Sequence, residues 1–170
     1  METKQISIML TRLNGRFGDL VYWCTGRRYT HASLRLDDMG ECFYSFNFRG
    51  MCVEKPSFFK PKRVASSVLY QIEIPADIYA QLEEQLHFHM QRKHRYKYSA
   101  LGVVLCLMRI PHRFDDAFFC SQFVAKLLAE ARVIEMQRPF SICHPTALER
   151  YLKRSQGLRR VVMHPHRYLT

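Results

Sequence analysis

The chain has 170 residues, 48% of them hydrophobic and 24% charged, and a formal net charge of +11. That length supports one domain with a full core and is short for two. The composition excludes a disordered chain, and the lack of any apolar run of about 18 residues excludes a transmembrane helix.

In chain order, residues 6–13 read as a β-branched and apolar strand, followed by a turn over Asn14 to Gly18. Residues 19–24 read as a second, short apolar strand. Residues 31–36 alternate, with His31, Ser33 and Arg35 on one face and Ala32, Leu34 and Leu36 on the other. Asp37 to Gly40 predicts a hairpin turn. Residues 41–48 return as an aromatic-rich strand, and 68–74 form another. Pro75-Ala76-Asp77 opens a helix to about Arg92, with Tyr79, Leu82, Leu86 and Met90 as its apolar stripe. Residues 98–110 are apolar and read equally as helix or strand. Residues 118–131 predict a helix with Phe119, Phe123, Val124, Leu127, Leu128 and Ala131 on one face. Pro145 starts a short helix to about Lys153, and 161–168 read as a closing strand. With no repeat, linker or low-complexity segment, residues 1–170 are expected to form one α+β domain.

Residues 1–10 lack the apolar stretch and cleavage site of a signal peptide, so the expected location is cytoplasmic. In that compartment the six cysteines, Cys24, Cys42, Cys52, Cys106, Cys120 and Cys143, are expected to be free thiols. No Cys-x-x-Cys occurs. The excess of basic residues points to an anionic partner, such as nucleic acid, a phospholipid surface or an acidic substrate. The bases are spread along the chain, however, and no nucleic-acid motif accompanies them.

Cys120 falls in the first turn of the helix predicted over 118–131. A helix N-terminus supplies positive potential and unpaired amides, which favour thiolate and can bind an oxyanion. Read alone, the same residue is a small buried side chain starting a core helix. His31 opens the alternating strand on its more polar face, where it can line a cleft as a general base. Read alone, it is a surface or satisfied core histidine. His87 and His89 point in different directions on one helix, His164 and His166 lack a third ligand nearby, and His144 reads as a helix cap, so no metal site is expected. A third group usually orients the base. The hairpin sets 43–47 opposite 31–35, so Tyr44, Ser45 or Asn47 could accept from the imidazole. Glu54 is the nearest downstream acid, should the chain fold back.

Three segments, in this order, resemble the circularly permuted papain-like proteins of the NlpC-type superfamily. Gly18-Asp19-Leu20-Val21-Tyr22-Trp23 resembles the superfamily's Gly-Asp-Leu-hydrophobic strand, and Thr30-His31-Ala32-Ser33-Leu34 is similar to its Ser-His-Val-Gly-Ile strand. Phe118-Phe119-Cys120-Ser121-Gln122-Phe123-Val124 looks like its cysteine helix start. Pro145 to Leu152 resembles the proline-led segment that often follows. The resemblance implies an antiparallel sheet or half-barrel packed against helices, with Cys120 facing His31. It implies hydrolase, amidase or acyltransferase chemistry through a thioacyl-enzyme on a small-molecule, peptide or lipid amide or ester, without a cofactor. Relatives place a polar residue after the base. The matching stretch here favours Ser45 as the third catalytic residue, with Tyr44, Asn47, Glu54 and Ser121 as binding residues. The alternative is a binding module of the same fold, without turnover, for an anionic lipid or nucleic acid.

Overall fold

A computed structural model describes residues 2–15 and 28–165. The strand expected over 19–24, the Gly18 to Trp23 segment, Cys24 and His166 lie outside the described residues.

The described residues form an α+β structure around one six-stranded sheet. The strands are β1 (Thr3–Leu13), β2 (His31–Leu36), β3 (Phe43–Asn47), β4 (Gly50–Glu54), β5 (Val64–Pro75) and β8 (Leu158–Met163), in the order β4-β3-β2-β1-β5-β8. Every neighbouring pair is antiparallel. A separate parallel pair joins β6 (Lys97–Tyr98) to β7 (Ala117–Phe118). The helices are α1 (Ala76–Gln91), α2 (Ala100–Leu107), α3 (Cys120–Glu130) and α4 (Pro145–Leu152).

Alternation builds the core. Ile6, Ile8 and Leu10 of β1 and Ala32, Leu34 and Leu36 of β2 share one cluster with Tyr79, Leu82 and Leu86 of α1. Phe123, Val124, Leu127 and Leu128 of α3 and Leu148 and Leu152 of α4 complete it. A smaller cluster of Met9, Phe43, Phe59, Val64 and Leu69 is separate from it. Met9, Phe43 and Leu69 are intervening positions on their strands, so the sheet carries apolar side chains on both faces. No helix of the described residues is long and apolar enough to cross a membrane.

Several elements differ from expectation in ways that shape the site. The turn expected over 37–40 is a 3-10 turn, Asp37–Met39, closed by Gly40 at φ 98°. The ambiguous segment 98–110 contains helix α2, capped by the Ser99 hydroxyl, which accepts from the Gly102 N–H at 3.0 Å. The helix expected from 118 starts two residues later. Phe118 is held in β7 opposite Tyr98, and extended Phe119 becomes the N-cap, so Cys120 is the first helical residue. The closing strand, expected over 161–168, instead spans Leu158–Met163.

Strand β4 was not anticipated. The reversal at Asn47 to Gly50 makes it: Asn47 Oδ1 accepts from the Arg49 N–H at 2.8 Å, and Gly50 sits at φ 92°. A Cβ on Gly50 would lie 2.5 Å from the Tyr96 carbonyl oxygen, so only glycine fits this turn.

Candidate active site

Strand pairing puts His31 and Glu54 on one face of the sheet. Thr11 pairs with His31, Leu34 with Tyr44, Ser45 with Cys52 and Phe43 with Glu54. Because side chains alternate along each strand, His31, Ser33, Ser45, Cys52 and Glu54 all project from one face. Glu54 has the longest reach among them and spans β3 to β2. His31 Nε2 donates to Glu54 Oε1 at 2.8 Å, and both side chains are buried. Glu54 Oε2 has no hydrogen-bond partner among the described residues, so the carboxylate is compensated chiefly through His31.

The Ser45 hydroxyl bonds elsewhere than to the His31 ring. It is fully buried and donates to the Ala32 carbonyl at 2.6 Å, within the β2–β3 pair. Tyr44 pairs with Leu34 and Val53 and packs against the main core, away from the cleft. Glu54, expected only among the binding residues, takes the position expected of Ser45.

Cys120 meets His31 from the helical side. Nε2 is engaged by Glu54, which leaves Nδ1 as the ring's other nitrogen, and His31 and Cys120 line one cleft. Burial opposes the charged form of the ring. The adjacent Glu54 carboxylate, and after it Cys120, outweigh it and hold His31 well above the ordinary histidine range. At the helix start, the Gln122 side-chain oxygen accepts from the Phe119 N–H at 3.4 Å, and Gln122 is itself buried. That contact helps fix Cys120 at the first turn, where helix amides lack intrahelical partners.

Two spaces open on Cys120. One is a cleft of about 600 Å³ lined by His31, Cys120, Phe46, Asn47, Phe58 and Tyr98, with the exposed Arg49 and Arg63 also on its wall. No acidic side chain of the described residues lines it. The other is a narrow slot of about 30 Å³ formed with Tyr29, Val103, Leu107, Phe119, Ser121 and Pro145. Of the expected binding residues, Asn47 lines the cleft and Ser121 lines the slot, its buried hydroxyl without a hydrogen-bond partner among the described residues.

Tyr98 lines both spaces and was missed from the sequence. Burial, and then the neighbouring Cys120, raise its phenol above the ordinary range, so it stays a neutral hydroxyl beside the sulfur. Its position comes from the β6–β7 pair, which sets it opposite Phe118, two residues before the cysteine. The signal in the sequence was Ser99-x-x-Gly102, a capped helix start just after the tyrosine.

Cys52 lies close by, with its Sγ 3.5 Å from the Ser45 carbonyl oxygen and 3.8 Å from Glu54 Oε1. Burial raises it first, and the charges on Glu54 and Cys120 add to the shift, so it remains a thiol. Cys42, Cys52, Cys106, Cys120 and Cys143 form no disulfide among the described residues. His144 caps α4, its Nδ1 accepting from the Ala147 N–H at 3.0 Å.

No protein-family model matches this chain, and no curated protein matches it. The chemistry of Cys120, His31 and Glu54 is therefore the ground for a function.

Proposed function

We propose that the chain is a cysteine hydrolase or acyltransferase of the circularly permuted papain-like, NlpC-type architecture, acting on an amide or ester bond. The observation that carries this reading is the buried Glu54–His31 hydrogen bond, in a cleft that His31 lines together with Cys120, the first residue of a helix. A surface histidine or a packing cysteine has no need of a buried carboxylate behind it. The charged third group also favours an enzyme over a binding module without turnover.

In this mechanism Cys120 gives its proton to solvent, and His31, held as an imidazolium by Glu54, stabilises the thiolate. The thiolate sulfur attacks the carbonyl carbon, and the carbonyl electron pair moves onto oxygen. In this reading, amides of the first turn of α3 and the Tyr98 hydroxyl, which lines the same cleft, receive that oxyanion. Collapse breaks the bond to the leaving amine or alcohol, which takes the proton from His31. The thioester on Cys120 then accepts water, deprotonated by His31. The C–S bond breaks, an acid leaves and the thiolate returns. An amine or alcohol in place of water makes the same step an acyl transfer.

Alkylation by iodoacetamide, followed by peptide mass spectrometry, tests the reading with no substrate in hand. Cys120 should label at least about tenfold faster than buried Cys143 at neutral pH. His31→Ala should remove that advantage. Equal rates at the two cysteines, insensitive to His31→Ala, would overturn the proposal.

A further inference from the structure

Helix α2 is unusual for an exposed element. Its sequence, Ala-Leu-Gly-Val-Val-Leu-Cys-Leu, carries no charge, and a helix apolar all round is normally buried. Here only Gly102 and Cys106 are buried. Leu101, Val104 and Met108, spaced three and four apart, form an outward stripe 59%, 50% and 63% exposed, which Ile110 continues at 43%. Such a run of large apolar side chains marks a surface that something else covers. The adjoining face of the same helix, Val103 and Leu107, lines the slot at Cys120. Exposed Phe48 stacks on Tyr98, just ahead of the helix, at 4.9 Å between ring centroids.

A strongly basic cleft opens beside the last turn of the same helix, at Cys106 and Arg109. Arg109 follows Met108 with φ 60° and lines a cleft of about 330 Å³ with Arg138, Arg150 and Arg154. No acidic side chain lines this cleft, and none of the four guanidiniums is ion-paired among the described residues. Guanidinium forks match phosphate oxygens in geometry and charge.

We propose that the α2 stripe and the arginine cleft together form a docking surface for an anionic phospholipid bilayer. The stripe lies among the upper acyl chains, and the arginines hold lipid phosphates at the headgroup level. Charge complementarity selects this occupant. In a symmetric dimer the patch would meet its own image, setting four arginines against four more. A nucleic acid would satisfy the arginines but leave the stripe in water. The net charge of +11 adds long-range attraction to an anionic surface. The inference does not depend on turnover at Cys120.

Flotation of the full chain with vesicles tests it. Phosphatidylcholine vesicles with phosphatidylglycerol should carry the protein at least about tenfold more than phosphatidylcholine alone, and added salt should release it. Combined Leu101→Gln, Val104→Gln and Met108→Gln should abolish flotation, as should combined Arg138→Glu and Arg150→Glu, with unchanged circular dichroism. The wild-type lipid and salt comparisons hold the test even where a variant fails to fold. Flotation that ignores phosphatidylglycerol overturns the proposal. So does binding that survives the glutamine substitutions, tighter binding to duplex DNA than to the anionic vesicles, or a solution dimer that the glutamine substitutions dissociate.

Discussion

His31 donates to Glu54 across an intervening strand, 2.8 Å from Nε2 to Oε1, with both groups buried. The bond crosses from β2 to β4, so it exists only if both hairpins close in register. If Glu54 orients the ring and compensates its charge, then Glu54→Gln, which keeps the shape, should slow iodoacetamide labelling of Cys120 at neutral pH by at least about tenfold. Ser45→Ala should leave labelling within about twofold and cost about 1 kcal/mol of stability for the lost bond to Ala32. The opposite ranking would return the orienting role to Ser45.

The same pair sets a pH dependence of stability. Glu54 and Cys120 raise His31 well above the ordinary histidine value of 6.5 against the opposing effect of burial, so the folded chain keeps a proton that the unfolded chain releases. The stabilisation is whole below about pH 6.5 and is lost as pH rises through the raised folded value. Urea unfolding should therefore show stability declining on the alkaline side of neutrality. His31→Gln should flatten that decline. A wild-type profile unchanged across this range would contradict the coupling.

A second histidine works in the other direction. His89 of α1 is 7% exposed, packed among the rings of Tyr96, Phe118 and Phe123, with Nδ1 unpartnered among the described residues. Burial, and then Lys126 and Arg92 against a smaller opposing pull from Glu130, lower it to about 4. The folded state then holds fewer protons than the unfolded state between about pH 4 and 6.5, so stability falls as the solution is acidified through that window. The full shift corresponds to about 3 kcal/mol, and solvent screening reduces it to roughly 2. His89→Phe should remove most of this acid sensitivity while leaving the alkaline decline from His31 in place.

The parts of the fold legible in the sequence were those fixed by local pattern. Alternation over 31–36 placed His31 on the face opposite Leu34, and the period of the 76–91 helix placed Tyr79, Leu82 and Leu86 inward. Cys120 stood out because a thiol at a helix start is itself a local signal. Glu54 was harder to place, because its position depends on β4. That strand has only five residues and follows a turn whose need for glycine comes from Tyr96, distant in sequence. Ser45 was misplaced for a related reason. Sequence pairing put it opposite the base strand, but its short side chain found the nearer Ala32 carbonyl first. Tyr98 depends on a two-residue parallel pair, which is too short to leave a periodic pattern.

Glycine 102 links helix α2 to the site, and its substitution tests that link. In an ordinary helix interior, glycine to alanine gains about 1 kcal/mol. Here a Cβ on Gly102 would lie 2.5 Å from Ser99 Oγ, 2.9 Å from His112 Nε2 and 3.0 Å from Ser99 Cβ. The first of these atoms is the cap that receives the Gly102 N–H, so Gly102→Ala crowds its own capping residue. The sign should therefore reverse, to a loss of about 1–3 kcal/mol. The Ser99 N–H in turn bonds the Phe118 carbonyl at 3.0 Å, so a displaced cap also disturbs Tyr98 and the residues leading into Cys120. Slower Cys120 labelling should accompany the lost stability. Ser99→Ala removes the crowding oxygen along with the cap. The double variant Ser99→Ala with Gly102→Ala should therefore be more stable than the sum of the two single losses, by about 1 kcal/mol in a double-mutant cycle. Strict additivity would mean that the two residues do not share the strain, and a more stable Gly102→Ala would mean that the cap does not constrain this helix.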